Sequence, residues 1–186
     1  MEMKGEQQLP ADRATAWAML NDSEVLKSCV PGCESMIAIG EHAYDVVMNA
    51  AIGPVKARFK GRMSLTDIDP PRGYRLTFDG QSSQAGFARG EAKIELHEIS
   101  AQVTNLTYAA NAQIGGKLAQ IGARLIDVAA AATADKFFEA LFAQIAARAP
   151  SGGEHGAAPL PGAAAPRAGL WRWLGSFLRH LFARRR

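Results

Sequence analysis

The sequence predicts an α+β domain in which a curved antiparallel sheet of about seven strands grips one long C-terminal helix. Three features carry that prediction. Between residues 34 and 112, apolar side chains recur with period two, the pattern of strands with one buried and one wet face. Residues 115–148 contain no proline and repeat apolar residues at three- and four-residue steps, the pattern of an amphipathic helix. Two short helical windows precede the strands, so the order is strand, helix pair, about six strands, helix.

The elements follow in order. Residues 3–9 are short and mixed and run into Pro10, which fits an edge strand because proline cannot donate to a ladder. Pro10-Ala11-Asp12 opens the first helix, with Ala14, Trp17 and Ala18 on one face, Leu20 beside them, and Asn21-Asp22 closing it. Ser23 is the expected N-cap of a second helix through Lys27, which Pro31-Gly32 terminates. Tyr44, Val46, Met48, Ala50 and Ile52 share one side of a strand, and Gly53-Pro54 turns the chain. The next strand alternates throughout: Val55, Ala57, Phe59, Gly61, Met63 and Leu65 face one way, and Lys56, Arg58, Lys60, Arg62 and Ser64 the other. A turn at Asp69-Pro70-Pro71-Arg72-Gly73 leads to Tyr74, Leu76 and Phe78. Residues 81–90 are rich in glycine and serine around Phe87. Ala92, Ile94 and Leu96, then Thr104, Leu106, Tyr108, Ala110 and Ala112, mark two further strands.

The final helix sets Leu118, Ile121, Leu125, Val128 and Ala132 on one face, and after Asp135 the stripe shifts to Phe138, Leu141, Phe142 and Ile145. As one element it would be roughly 45–50 Å long. Small residues line it (Gly122, Ala123, residues 129–132 and Ala134), and the inward sheet positions mix large groups with Ala50, Ala57, Gly61, Ala92, Ala110 and Ala112. Two readings are open: a core that leaves room for a ligand, or ordinary packing around a twisted sheet.

No catalytic constellation emerges. The chain has no Gly-x-Ser-x-Gly, no phosphate-binding glycine loop and no His-Glu-x-x-His. His97 lies out of phase with its strand's apolar face, and His42 falls in a turn. Tyr108 is either a donor to a ligand carbonyl or a buried tyrosine with a structural partner. Gln113, Lys117 and Gln120 border a cavity mouth or simply a solvated first turn. The row Lys56, Arg58, Lys60 and Arg62 is an outer face, or a dock for an acidic partner or lipid headgroups. Cys29 and Cys33 are too few for a disulfide framework and wrongly spaced for a zinc knuckle or thioredoxin-like motif, so they read as small buried loop residues. No metal site is expected.

The composition is that of a globular protein, 48% hydrophobic and 21% charged. The net charge of +3 conceals an asymmetry, because Arg167, Arg172, Arg179, Arg184, Arg185 and Arg186 lie near the end. Without residues 167–186 the chain holds 15 Lys and Arg against 18 Asp and Glu, so a nucleic-acid-binding body is not expected. The N-terminus lacks a charged-then-apolar signal pattern, so the body is expected in the cytoplasm. Residues 1–148 form the expected domain. Residues 149–169 read as a Pro/Gly/Ala linker spanning roughly 25 Å as a coil. Residues 170–186 read as a basic amphipathic helix: Leu170, Trp173, Leu174, Phe177, Leu178, Leu181 and Phe182 form a stripe, and Trp171 adds an aromatic group. Arg179, Arg184, Arg185 and Arg186 supply charge. The segment is too short and charged to span a bilayer, which takes about 20 mostly apolar residues. It suits an interfacial helix, each arginine adding roughly 1 kcal/mol on an anionic surface. A partner-protein groove or docking back on the domain is the alternative.

Several blocks together resemble a known family. They are Gly5…Leu9-Pro10…Ala14…Trp17…Leu20-Asn21-Asp22, Leu26…Cys29-Val30-Pro31-Gly32-Cys33, Gly53-Pro54-Val55-Lys56-Ala57…Phe59-Lys60-Gly61, residues 86–92, and Thr107-Tyr108…Gly115-Gly116-Lys117-Leu118 through Ile126. Over about residues 1–148 the chain resembles CoxG, an accessory family of carbon monoxide dehydrogenase, within the helix-grip superfamily of START-like domains. The resemblance implies a hydrophobic cavity between sheet and helix and a non-catalytic accessory role beside a molybdenum hydroxylase such as carbon monoxide dehydrogenase. It also implies recruitment of that enzyme to the membrane, and it supplies no catalytic residues.

Joined to the residues, this gives a sharper expectation: a peripheral protein of the cytoplasmic membrane face, held by lipid contacts of the tail, that binds a respiratory quinone (menaquinone or ubiquinone) without a covalent cofactor. Met48, Phe59, Met63, Phe78, Phe87, Leu106, Tyr108, Leu118, Ile121 and Leu125 are the expected ligand contacts, with Tyr108 as the polar one. The rivals are a pure anchor with a packed core and a START-like lipid-binding protein or enzyme for another hydrophobic ligand.

Overall fold

The computed structural model describes residues 1–148; the linker at 149–169 and the tail contacts expected at Leu170 to Arg186 lie outside the described residues. The elements are β1 (Glu2–Leu9), α1 (Arg13–Leu20), α2 (Ser23–Cys29), β2 (Cys33–Gly40), β3 (Ala43–Ile52), β4 (Val55–Asp69), β5 (Gly73–Ser82), β6 (Gly86–Ser100), β7 (Val103–Gly115), α3 (Lys117–Gln120) and α4 (Ala123–Arg148). The seven strands form one antiparallel sheet in the order β1-β7-β6-β5-β4-β3-β2. Strands β2 to β7 are a meander, and β1 joins as an edge on β7 with Gly5 opposite Tyr108. The α+β fold expected from the sequence is the fold observed.

The register defines two ends of the sheet. One gathers the β3–β4 turn (Ile52 opposite Val55), the β5–β6 turn (Ser82 opposite Gly86) and the β7–α3 connection, where the Leu118 amide donates to the Ala85 carbonyl at 2.9 Å. The other gathers the β2–β3, β4–β5 and β6–β7 turns and the α1–α2 pair, tied down where Thr104 Oγ1 donates to the Ala11 carbonyl at 2.9 Å. A buried hydroxyl satisfied this way holds the β1–α1 bend against β7.

The caps explain the helix pair. Asp12 accepts from the Thr15 hydroxyl at 2.6 Å and the Thr15 amide at 2.9 Å, bonds that hold its carboxyl below the usual range. Asp22, and not Ser23 as expected, caps α2, accepting from the amides of Glu24 and Val25. In α1 the expected face is also corrected. Ala14 and Ala18 are exposed, while Ala16, Met19 and Leu20, at i, i+3 and i+4, carry the larger apolar surface inward. Trp17 is half-buried and meets Tyr74 edge-on, with ring centroids 5.7 Å apart.

The largest correction concerns the C-terminal helix. It is not one element: α3 ends at Gln120, and α4 begins at Ala123 after Gly122, whose φ of +90° no ordinary side chain adopts cheaply. The helical phase therefore restarts. Ile126, Phe138, Leu141 and Ile145 are buried, whereas Leu125, Val128 and Ala132 face solvent. The 26 residues of α4 give a length of about 39 Å.

Candidate functional site

Side-chain volumes along α4 decide what lies between it and the sheet. Toward its C-terminus Phe138, Leu141 and Ile145 pack solidly with Leu9, Leu20, Val25, Leu96 and Leu106. Toward its N-terminus the sheet-facing residues are Ile126, Ala129, Ala130, Thr133 and Ala134, and opposite them stand Ala88, Ala92, Ala110 and Ala112. Alanines on both sides cannot meet across a gap set by Phe138 and Leu141. The result is a cavity of about 460 Å³, within the roughly 300–1,000 Å³ range of small-molecule sites.

Its walls are almost wholly apolar. Met63, Leu65, Leu76 and Phe78 form one side, Tyr108, Phe137 and Phe138 the floor toward the helix pair, and Met1, Met3, Ile114 and Leu118 the other end. A smaller polar concavity shares Met1, Ala112, Ile114 and Ile126 with it and adds Glu2, Ala119, Ala123 and Asp127. The shared residues bring the cavity next to open surface where β1 begins, β7 ends and α3 meets α4, the side taken as its mouth.

Three lining side chains are polar, and two are already engaged. Thr133 Oγ1 donates to the Ala129 carbonyl at 2.8 Å, and the buried Tyr74 hydroxyl donates to the Leu20 carbonyl at 3.5 Å. Burial drives the Tyr74 pKa far above that of a free phenol. Tyr108 differs: its hydroxyl has no hydrogen-bond partner among the described residues. Its ring stacks on Phe138 with centroids 5.6 Å apart and lies over Gly5, where any Cβ would strike the phenol. Burial and then the nearby Asp135 carboxylate raise its pKa, so it remains a neutral donor. The chemistry available is therefore apolar enclosure with one uncommitted hydroxyl.

Of the residues expected to contact a ligand, Met63, Phe78, Leu106, Tyr108 and Leu118 line the cavity. The others do not. Met48, Phe59 and Ile121 face inward but are filled against one another in a second apolar cluster with Ala57, Ala85 and Leu118. Phe87 is on the outer face, over Gly115 and beneath the Arg89 guanidinium at 5.0 Å. Leu125 is 49% exposed because of the restart at Gly122. Sequence reasoning named Ala130 and Ala134 only as small residues leaving room, and missed Met36, Ile126 and Phe137; for the two helical ones the available signal was the glycine inside the helical run.

Gln113, Lys117 and Gln120 are exposed, as are His42, His97, Lys56, Arg58, Lys60 and Arg62. Arg58 is bound to Glu34, whose carboxyl it holds below the usual range. Cys29 and Cys33 are free thiols in α2 and β2, not in a loop, and burial pushes both pKa values up. Among the described residues no three His, Cys, Asp or Glu side chains come together as a metal site.

A seven-stranded sheet closed over a C-terminal helix, with an apolar cavity between them, defines a START-like helix-grip domain. More narrowly, the chain belongs to the carbon monoxide dehydrogenase CoxG family, which it matches over residues 5–146. A conserved protein from Geobacillus kaustophilus of known crystal structure is 33% identical, with a TM-score of 0.76 over 79% of this chain and 96% of that one. A START superfamily protein from Mycobacterium smegmatis (10% identity, TM-score 0.60, 78% and 97% of the two chains) shares the fold. So does the Zhui aromatase/cyclase from Streptomyces sp. R1128 (13%, 0.58, 82% and 98%). No curated protein sequence matches the chain.

Proposed function

We propose that this protein is a non-catalytic accessory protein that binds a respiratory quinone for a molybdenum hydroxylase of the carbon monoxide dehydrogenase kind, at the cytoplasmic face of the cell membrane. The observation that carries the reading is the cavity of about 460 Å³, apolar apart from two tyrosines and one threonine. Such a lining favours a ligand that water rejects. A quinone fits the donor set, because its carbonyls are acceptors and Tyr108 supplies an unengaged hydroxyl, while its isoprenoid tail matches the alanine- and methionine-lined passage to the mouth. When bound, a quinone supplies two-electron acceptance; the chain's own residues bind it, orient its ring and exclude water. Among the described residues the only ionisable lining side chains are tyrosines, which suits a carrier better than an acid–base catalyst. The family supplies the partner enzyme in this reading. The proposed contact is peripheral because residues 170–186 are too short and too charged to span a bilayer; no helix among the described residues is long and apolar enough to cross a membrane.

The test is mass spectrometry of an organic extract of the full chain purified from native membranes. Near-stoichiometric quinone is expected in the natural protein and its loss in Ala92→Phe and Ala110→Phe. A clean extract from a chain that still sediments with anionic vesicles would leave a pure anchor; a different lipid would keep the carrier and remove the electron-transfer role. Turnover of a hydrophobic substrate by the purified chain would make it an enzyme.

A further inference from the structure

The mouth end carries a surface that the cavity alone does not explain. Leu125 and Val128, 49% and 61% exposed, stand one turn apart on the solvent side of α4. They lie at the same end of the fold as the mouth, on the side of α4 turned away from the buried Ile126 that lines it. They also adjoin the tip of the β3–β4 turn, where a Cβ on Gly53 would lie 3.9 Å from Leu125 Cδ1. Together Leu125 and Val128 make a small exposed apolar spot at the mouth end of the fold.

Charge indicates its partner. Lys56 follows the β3–β4 turn, Lys117 opens α3 and Arg124 opens α4, and Lys60 stands on the adjoining outer face. None of the four forms an ion pair among the described residues. Glu2 and Asp127 are the acidic groups at the mouth. The opposite end also exposes apolar residues, Ile37, Ile39 and Ile99, but these sit among Asp45, Glu41 and Glu98. Apolar groups within a basic ring on an otherwise acidic body match an anionic, apolar-cored partner, which a bilayer of acidic lipids is.

We propose that the domain lays its mouth end on an anionic bilayer, with Leu125 and Val128 entering the headgroup boundary and Lys56, Lys117 and Arg124 on lipid phosphates. The cavity then opens directly onto the membrane, and an apolar ligand passes between the two without crossing water. This rests on the carrier reading for its purpose, but the surface is tested without any ligand.

The experiment uses the full chain in a Cys33→Ser background with an environment-sensitive NBD label on Val128→Cys, and separately on Ile99→Cys at the far end. Phosphatidylcholine vesicles are added with and without phosphatidylglycerol. The expected result is a blue shift and several-fold brightening at position 128 with phosphatidylglycerol only, no change at position 99, and loss of most of the response in Lys117→Glu/Arg124→Glu. A label at 128 that stays in water while the chain sediments with the vesicles overturns the proposal. So does an equal response at both positions, or one that appears only when the hydroxylase is added, which would make the surface a protein dock. An extract without quinone leaves this result standing, so the two readings fail separately.

Discussion

The two halves of α4 face the same sheet and do opposite things. The C-terminal half inserts Phe138, Leu141 and Ile145 into a cluster with residues of β1, α1, α2, β6 and β7. Each such side chain contributes roughly 1.5–3 kcal/mol on full burial. The N-terminal half offers Ala129, Ala130 and Ala134 to alanines of β6 and β7 and leaves a cavity. Backbone geometry is common to both, so side-chain volume alone separates them. A fold can thus keep its stability in one half of a helix and its capacity for a ligand in the other.

The comparison predicts effects of different kinds as well as sizes. Leu141 is 1% exposed, and Leu141→Ala is expected to cost about 2–5 kcal/mol in denaturant unfolding while leaving the ligand content of the folded protein unchanged. Were the cavity to empty in that variant under conditions where the fold persists, the two halves would not be separable. Next in size is the junction at the mouth end. Gly122→Ala places a side chain at φ +90°, with open space around it, so the cost is backbone strain of roughly 1–2 kcal/mol and a lowered Tm. The packed half should not respond, which the near-ultraviolet signal of Trp17, packed on that cluster, would report.

Within the hollow half the balance reverses. Ala130→Leu would be overpacking in a solid core, at about 1–3 kcal/mol. Here the added methylenes enter the cavity, so stability should change by less than about 1 kcal/mol, whereas affinity for a short-chain quinone should fall about tenfold, or ~1.4 kcal/mol. A large loss of stability with unchanged affinity would show that the alanines are core.

How much of this was legible depended on how each element announces its phase. The strands did so plainly: Val55 to Leu65 alternates without exception, and its inward set is the more buried one. The long helix did not. Its large residues, Leu125 and Val128, suggest the buried face, but Gly122 resets the phase and the true inward stripe is mostly alanine, which carries little periodic signal. Phe59 illustrates a second limit. Its inward direction was readable, but whether an inward group lines a cavity depends on what stands across from it, and Ala57, Ala85 and Leu118 stand close enough to fill the space. The short blocks between Gly5 and Ile126 were enough to reach the family, because they record local turns and caps that do not depend on that balance.

The smallest predicted effect separates the two tyrosines of the cavity. Tyr74 already donates to the Leu20 carbonyl, so Tyr74→Phe strands a buried acceptor and should appear in stability, at about 1 kcal/mol, with little change in ligand affinity. Tyr108 has its hydroxyl uncommitted, so Tyr108→Phe should shift unfolding by less than about 0.5 kcal/mol. Its effect belongs to the ligand: one hydrogen bond to a quinone carbonyl is worth about 0.5–1.5 kcal/mol net, a fall of about 2- to 10-fold in affinity for a short-chain ubiquinone. Because burial and Asp135 raise the Tyr108 pKa, the folded protein keeps this phenol neutral beyond the ordinary value near 10; affinity should stay level through neutral pH and fall only in alkali above that value. Equal affinities of Tyr108→Phe and the natural protein, with stability also unchanged, would assign the ring a purely apolar role and remove the one polar contact of the proposed quinone complex.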